Sequence, residues 1–108
     1  MMGEQLELFE EFVSTHHKKH YNVEGEVDRG LFVGVAGLAG EAGEVCDAIK
    51  KIVRGDTQKS YEESMKDLLL EMGDCLHYLT FLGQYYGFTL EDIATANVAK
   101  LIRRHEDA

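Results

Sequence analysis

The sequence predicts an all-α fold, an antiparallel bundle of about four helices completed by pairing between copies of the chain. Three observations carry this. Apolar residues recur at steps of three and four along four separate stretches, which places them on one stripe of a helix. No stretch alternates apolar and polar residues for long enough to make a strand. Proline is absent, so no helix interior carries a proline break. The 108 residues suit one domain spanning 1–108, and a domain this small buries only part of its apolar surface. Pairing with a copy of itself is the expected remedy.

The first helix is predicted over about Glu4 to Lys18, with Leu8, Phe9 and Phe12 at helical spacing. A loop with Asn22, Gly25 and Asp28 follows. The second helix runs from about Arg29 to Arg54, where Val35, Leu38, Ala42, Val45, Ile49 and Ile52 form one seam. Gly55 ends it, and Lys50, Lys51 and Arg54 complement the helix dipole. Ser60 with Glu63 makes a capping box for the third. Its seam is Met65, Leu68, Met72, Cys75, Leu79, Leu82 and Tyr86, with Gly87 as the stop. Thr89 with Asp92 opens the fourth, which continues to about Arg104 with Leu90, Ala94, Asn97 and Leu101 on one stripe. Short connections make neighbours antiparallel.

A formal charge of −9 argues against a protein that grips nucleic-acid polymers, because phosphate contacts need a basic surface. A nucleotide is still allowed if divalent cations stand between its phosphates and the acidic pocket. Cys46 and Cys75 read as reduced core thiols. Without an apolar run of membrane-span length or a signal-peptide pattern, a cytoplasmic protein with no membrane partner is expected.

The informative feature is a repeated acidic pattern. Glu41-Ala42-Gly43-Glu44 in the second helix and Glu71-Met72-Gly73-Asp74 in the third both read acidic, apolar, glycine, acidic. Residues three apart are neighbours on a helix surface, and each acid precedes a seam residue. Packing along the seams therefore brings four carboxylates together. Their repulsion requires protons or cations, and an all-oxygen set selects Mg²⁺ or Mn²⁺. Such a cation also lowers the pKa of a bound water. Gly34, Gly37, Gly40 and Gly43 recur every third residue in the second helix. Each costs ~1 kcal/mol relative to alanine, so close helix packing, space for a ligand, or both must justify them.

With those residues in view, Gly37-Leu38-Ala39-Gly40-Glu41-Ala42-Gly43-Glu44-Val45 resembles the first motif of the MazG-like family of all-α nucleoside triphosphate pyrophosphohydrolases. Leu70-Glu71-Met72-Gly73-Asp74 with Tyr78 resembles the second. Asn97-Val98-Ala99-Lys100-Leu101 with Arg103 or Arg104 resembles the C-terminal N-x-x-K-L segment. The resemblance implies Mg²⁺-dependent hydrolysis of nucleoside triphosphates, with dNTPs the expected class, to the monophosphate and pyrophosphate. It implies Glu41, Glu44, Glu71 and Asp74 as catalytic metal ligands. It implies Asn97, Lys100 and Arg104 at the substrate, and a homodimer or homotetramer.

Read from the residues alone, Asn97 is a buried amide needing a polar partner, and Lys100 is a point charge for phosphate. Arg103 suits a solvated C-terminal turn. The cluster of His16, His17, Lys18, Lys19 and His20 reads first as cations at a helix C-terminus, with phosphate or base contact as the alternative. Phe9, Phe12 and Tyr21 read first as core rather than as base-stacking rings. His77 and Asp47 are expected to point away from the metal face, since each further step of three turns about 60° around the helix. Two other readings stay open. A non-catalytic helical oligomer would bind no nucleotide with metal, and a di-iron carboxylate protein would be coloured.

Overall fold

The computed structural model describes residues 2–21 and 28–107, apart from the side chains at 2, 17–21 and 107. Four helices follow in order: α1 (Met2–Tyr21), α2 (Arg29–Arg54), α3 (Tyr61–Tyr85) and α4 (Leu90–Asp107). No strand occurs among the described residues. None of the helices is long and apolar enough to cross a membrane. The loop residues Asn22 and Gly25, and the side chains of Tyr21 and of residues 17–20, lie outside the described set.

The end signals work as the sequence predicts. Asp28 caps α2 by accepting from the Leu31 amide at 2.9 Å. It also accepts from the Tyr85 hydroxyl, which holds its carboxyl below the usual range and ties the start of α2 to the end of α3. Gly55 takes the left-handed conformation, φ 69°, that closes α2. Ser60 and Glu63 make the reciprocal capping box. Gly87 turns the chain at φ 82°, and Thr89 and Asp92 cap α4 through bonds of 2.9 and 3.0 Å.

α2 and α3 form the main antiparallel pair, and α1 packs across both. Their register is set by glycine. A Cβ at Gly34 would stand 2.5 Å from the Phe81 ring, and one at Gly37 would collide with the Tyr78 ring. The backbone of α2 thus rests directly on two aromatic rings of α3. Gly40 and Gly43 instead have nothing within 4 Å, so close packing accounts for only half of the glycine row.

α4 does not close the bundle within one chain. It meets α3 only near its beginning, where Gly83 admits Ile93. The Glu10 side chain there accepts from the Leu90 amide at 3.1 Å. Beyond Ile93 the helix is exposed, including Asn97, Val98, Lys100, Leu101 and Arg104. The radius of gyration, 16.8 Å, accordingly exceeds the roughly 13 Å of a compact chain this long.

The buried set is correspondingly small. Val13 and Thr80 are fully buried, while Leu8, Phe12, Val35, Ile49, Met72, Leu79 and Tyr86 are exposed. The seams drawn from the sequence therefore mix inward and outward residues. α3 carries apolar side chains around most of its circumference, and only one side of it meets α1 and α2. Cys46 is exposed, not a core thiol, and Cys75 is half-buried. Asn97 is exposed rather than buried, because the groove it lines between α4 and the Leu6, Leu76 and Leu79 side chains of α1 and α3 is open.

Candidate functional site

The register of the α2–α3 pair decides which acids meet. From Gly37 against Tyr78, one turn along each helix carries Glu41 toward Asp74, and a further step carries Glu44 toward Glu71. Glu41, Glu71 and Asp74 come together, each offering one oxygen so that all three lie within 4.8 Å of one another. Glu41 and Glu71 are half-buried and Asp74 is exposed. Glu44 lies outside this group. It is exposed on α2 and, with Glu71, lines an adjoining cleft of about 330 Å³. That cleft continues toward the α2–α3 turn, past Asp47, Lys51, Lys59, Ser64 and Asp67.

The electrostatics match the geometry. Burial raises the Glu41 carboxyl above its ordinary pKa, and the charges of Asp74, Glu71 and Glu44 add to the rise. Glu41 also shares a hydrogen bond with Glu71, which a proton between two carboxyls supplies. A divalent cation relieves the same repulsion. Mg²⁺ holds oxygens at about 2.1 Å in an octahedron, so adjacent ligands would stand about 3 Å apart and opposite ones about 4.2 Å. The three acids, within 4.8 Å of one another, would draw inward to bind one ion, and their all-oxygen chemistry suits a hard cation.

A pH prediction follows. Because the folded pKa of Glu41 is raised, the folded chain keeps a proton that the unfolded chain releases between the ordinary and the raised value. Stability without metal falls as pH rises across that interval. Mg²⁺ competes with the same proton. The rise in Tm on adding Mg²⁺ is therefore expected to grow from mildly acidic to neutral pH in a thermal melt. A Mg²⁺-induced rise independent of pH in that range would show that the carboxyl does not bind where the protons do.

The remaining expected residues fall elsewhere. Asn97 and Lys100 line a separate groove beside α4 with Phe88, Asp92, Ile93 and Ala96. Arg104 is exposed in the last turn of α4. The chain alone does not bring these three to the carboxylates. His77 packs into an aromatic group with Phe9, His16 and Tyr78, and burial lowers its pKa. Asp47 holds Lys50 and Lys51 at 3.2 and 3.0 Å and lies outside the close acidic group. It does line the adjoining cleft. The sequence reading missed Lys51, Lys59 and Ser64 as neighbours of the acids. Lys51 and Ser64 lie seven residues, about two helical turns, beyond Glu44 and Glu71, a signal that the antiparallel register supplies once it is known.

Comparison with known proteins adds the following. The family model described as the MazG nucleotide pyrophosphohydrolase domain matches residues 34–108. The chain is 33% identical over 96 residues to "Uncharacterized protein YvdC" of Bacillus subtilis (strain 168), covering 84% of this chain and 91% of that protein. It is 34% identical over 77 residues to "Gene 37 protein" of Mycobacterium phage L5, covering 71% of this chain and 68% of that protein. No solved structure matches significantly.

Proposed function

The chain belongs to the MazG nucleotide pyrophosphohydrolase family, and from that premise we propose that it hydrolyses nucleoside triphosphates, dNTPs foremost, to the monophosphate and pyrophosphate in the presence of Mg²⁺. The observation that supports this most is the group of Glu41, Glu71 and Asp74, whose oxygens lie within 4.8 Å of one another across two helices. Mg²⁺ bound there would offset their repulsion, draw in phosphate oxygens and acidify water.

The chain's own residues supply the rest. Glu41, Glu71 and Asp74 hold the cation. Glu44, one turn from Glu41 and outside the close group, is the carboxylate left to orient the attacking water and take its proton. The water oxygen bonds to one phosphorus of the α–β bridge as the bridging P–O bond breaks. The bridge oxygen leaves with the electron pair.

Asn97, Lys100 and Arg104 enter this reading from a neighbouring copy. The exposed apolar residues of α3 (Leu69, Met72, Leu76, Leu79) and α4 (Val98, Leu101, Ile102) favour a homodimer or homotetramer, since water-facing stripes of this kind are costly. In such an assembly, α4 of one copy reaches the substrate of another.

A panel of triphosphates tests the activity. Pyrophosphate release is expected with Mg²⁺ and none with a chelator present. A protein that releases none from any triphosphate, canonical or modified, is not this enzyme.

A further inference from the structure

The cleft beside the carboxylates has features that the hydrolytic group leaves unused. Its walls include the apolar side chains of Ala48, Ile52 and Leu70. Among its lining residues is Ser64, only 8% exposed, with a backbone N–H that donates to the Ser60 carbonyl and a hydroxyl that makes no hydrogen bond among the described residues. A helical hydroxyl usually satisfies itself on the carbonyl one turn back. Thr80 does this, donating to the Leu76 carbonyl at 2.7 Å, and Ser64 does not. A buried hydroxyl without a partner is costly, so Ser64 has a donor and an acceptor to offer to a polar group that enters the cleft. At the rim stand two ammonium groups, Lys51 on Asp47 at 3.0 Å and Lys59 on Asp67 at 2.5 Å.

We propose that this cleft is the subsite for the pyrophosphate end of the substrate, with Lys51, Lys59 and the Ser64 hydroxyl taking the terminal phosphates. It rests on the hydrolase reading and adds the direction in which the substrate lies. Among the described residues the cleft has no aromatic ring for a base to stack on. The aromatic side chains gather at the other end of the acidic group, where His77, three residues after Asp74, packs against Tyr78, Phe9 and His16. Phosphates therefore lie toward the α2–α3 turn and the nucleoside toward α1. Exposed ammonium–carboxylate pairs hold their partners weakly, so each lysine exchanges its aspartate for a phosphate at little cost. Glu44, Asp47, Asp67 and Glu71 in the same cleft repel a bare anion, and the phosphates enter as their Mg²⁺ complex.

The test compares Lys51→Gln with Lys59→Gln, and separately Ser64→Ala, against the parent. The readouts are KM for a triphosphate substrate and inhibition by Mg²⁺-imidodiphosphate and by the monophosphate product. The lysine double variant is expected to raise KM and the imidodiphosphate inhibition constant by about tenfold or more, with monophosphate inhibition unchanged. Ser64→Ala moves the same two constants by about threefold. It removes only a hydroxyl from a helix, so it carries the test if the double variant fails to fold. Unchanged imidodiphosphate inhibition in either folded variant overturns the proposal. So does weakened monophosphate inhibition, which would seat the nucleoside in the cleft. A parent that releases no pyrophosphate defeats the hydrolase reading instead. Calorimetric titration of parent and Ser64→Ala with Mg²⁺-imidodiphosphate then still decides the subsite, with equal affinity overturning it.

Discussion

Glu71→Gln is expected to lower kcat by at least about a hundredfold while leaving the metal-free protein as stable as the parent or more so. The two halves of this result have one cause. Glu71 belongs to the close acidic group, and its charge helps to raise the pKa of Glu41. An amide in its place is a poor ligand for a hard cation, so metal-assisted chemistry fails. It also removes one of the repelling charges, so the metal-free fold is relieved. Functional sites commonly sacrifice stability in this way. Melts in chelator and in Mg²⁺ separate the effects: the variant keeps its Tm in chelator and loses the Mg²⁺-dependent rise. Adding Glu41→Gln is expected to abolish pyrophosphate release. Release that survives both substitutions removes these residues from the mechanism.

Gly34→Ala and Gly40→Ala are expected to change stability in opposite directions. Both replace a helical glycine, and alanine gains ~1 kcal/mol of helix propensity. At Gly34 the new methyl would stand 2.5 Å from the Phe81 ring and 3.0 Å from Leu82. Gly34 is buried, and overpacking a buried contact costs about 1–3 kcal/mol. Strain wins there. At Gly40 nothing lies within 4 Å, and the propensity gain remains. For a domain of this size the two midpoints should separate by roughly 10 °C. Coincident midpoints would mean that the α2–α3 register described above is wrong.

Most of the fold is legible in the sequence because its signals are local. Ser60 and Glu63 lie three residues apart and cap α3 through bonds that close within one turn. Gly55 ends α2 by its own φ, and Thr89 with Asp92 opens α4 in the same way. The choice of glycine positions that matter was not local. Gly34, Gly37, Gly40 and Gly43 look alike in the sequence. Only the position of α3 makes the first two necessary, since the rings of Phe81 and Tyr78 touch those and not the others.

The acidic motifs divide along the same line. By itself the sequence determined four helices, their ends, and two carboxylate pairs each on one helical face, because spacing along a helix follows from its fixed geometry. Tertiary structure decided that Glu41, Glu71 and Asp74 close to within 4.8 Å while Glu44 faces the neighbouring cleft. It also left Asn97 and Lys100 exposed on α4, away from the carboxylate group. The physical reason is that a helix's residues fix which side chains share a face. How far two helices slide and rotate against each other is fixed by contacts between residues distant in the chain, here a bare glycine backbone against two aromatic rings.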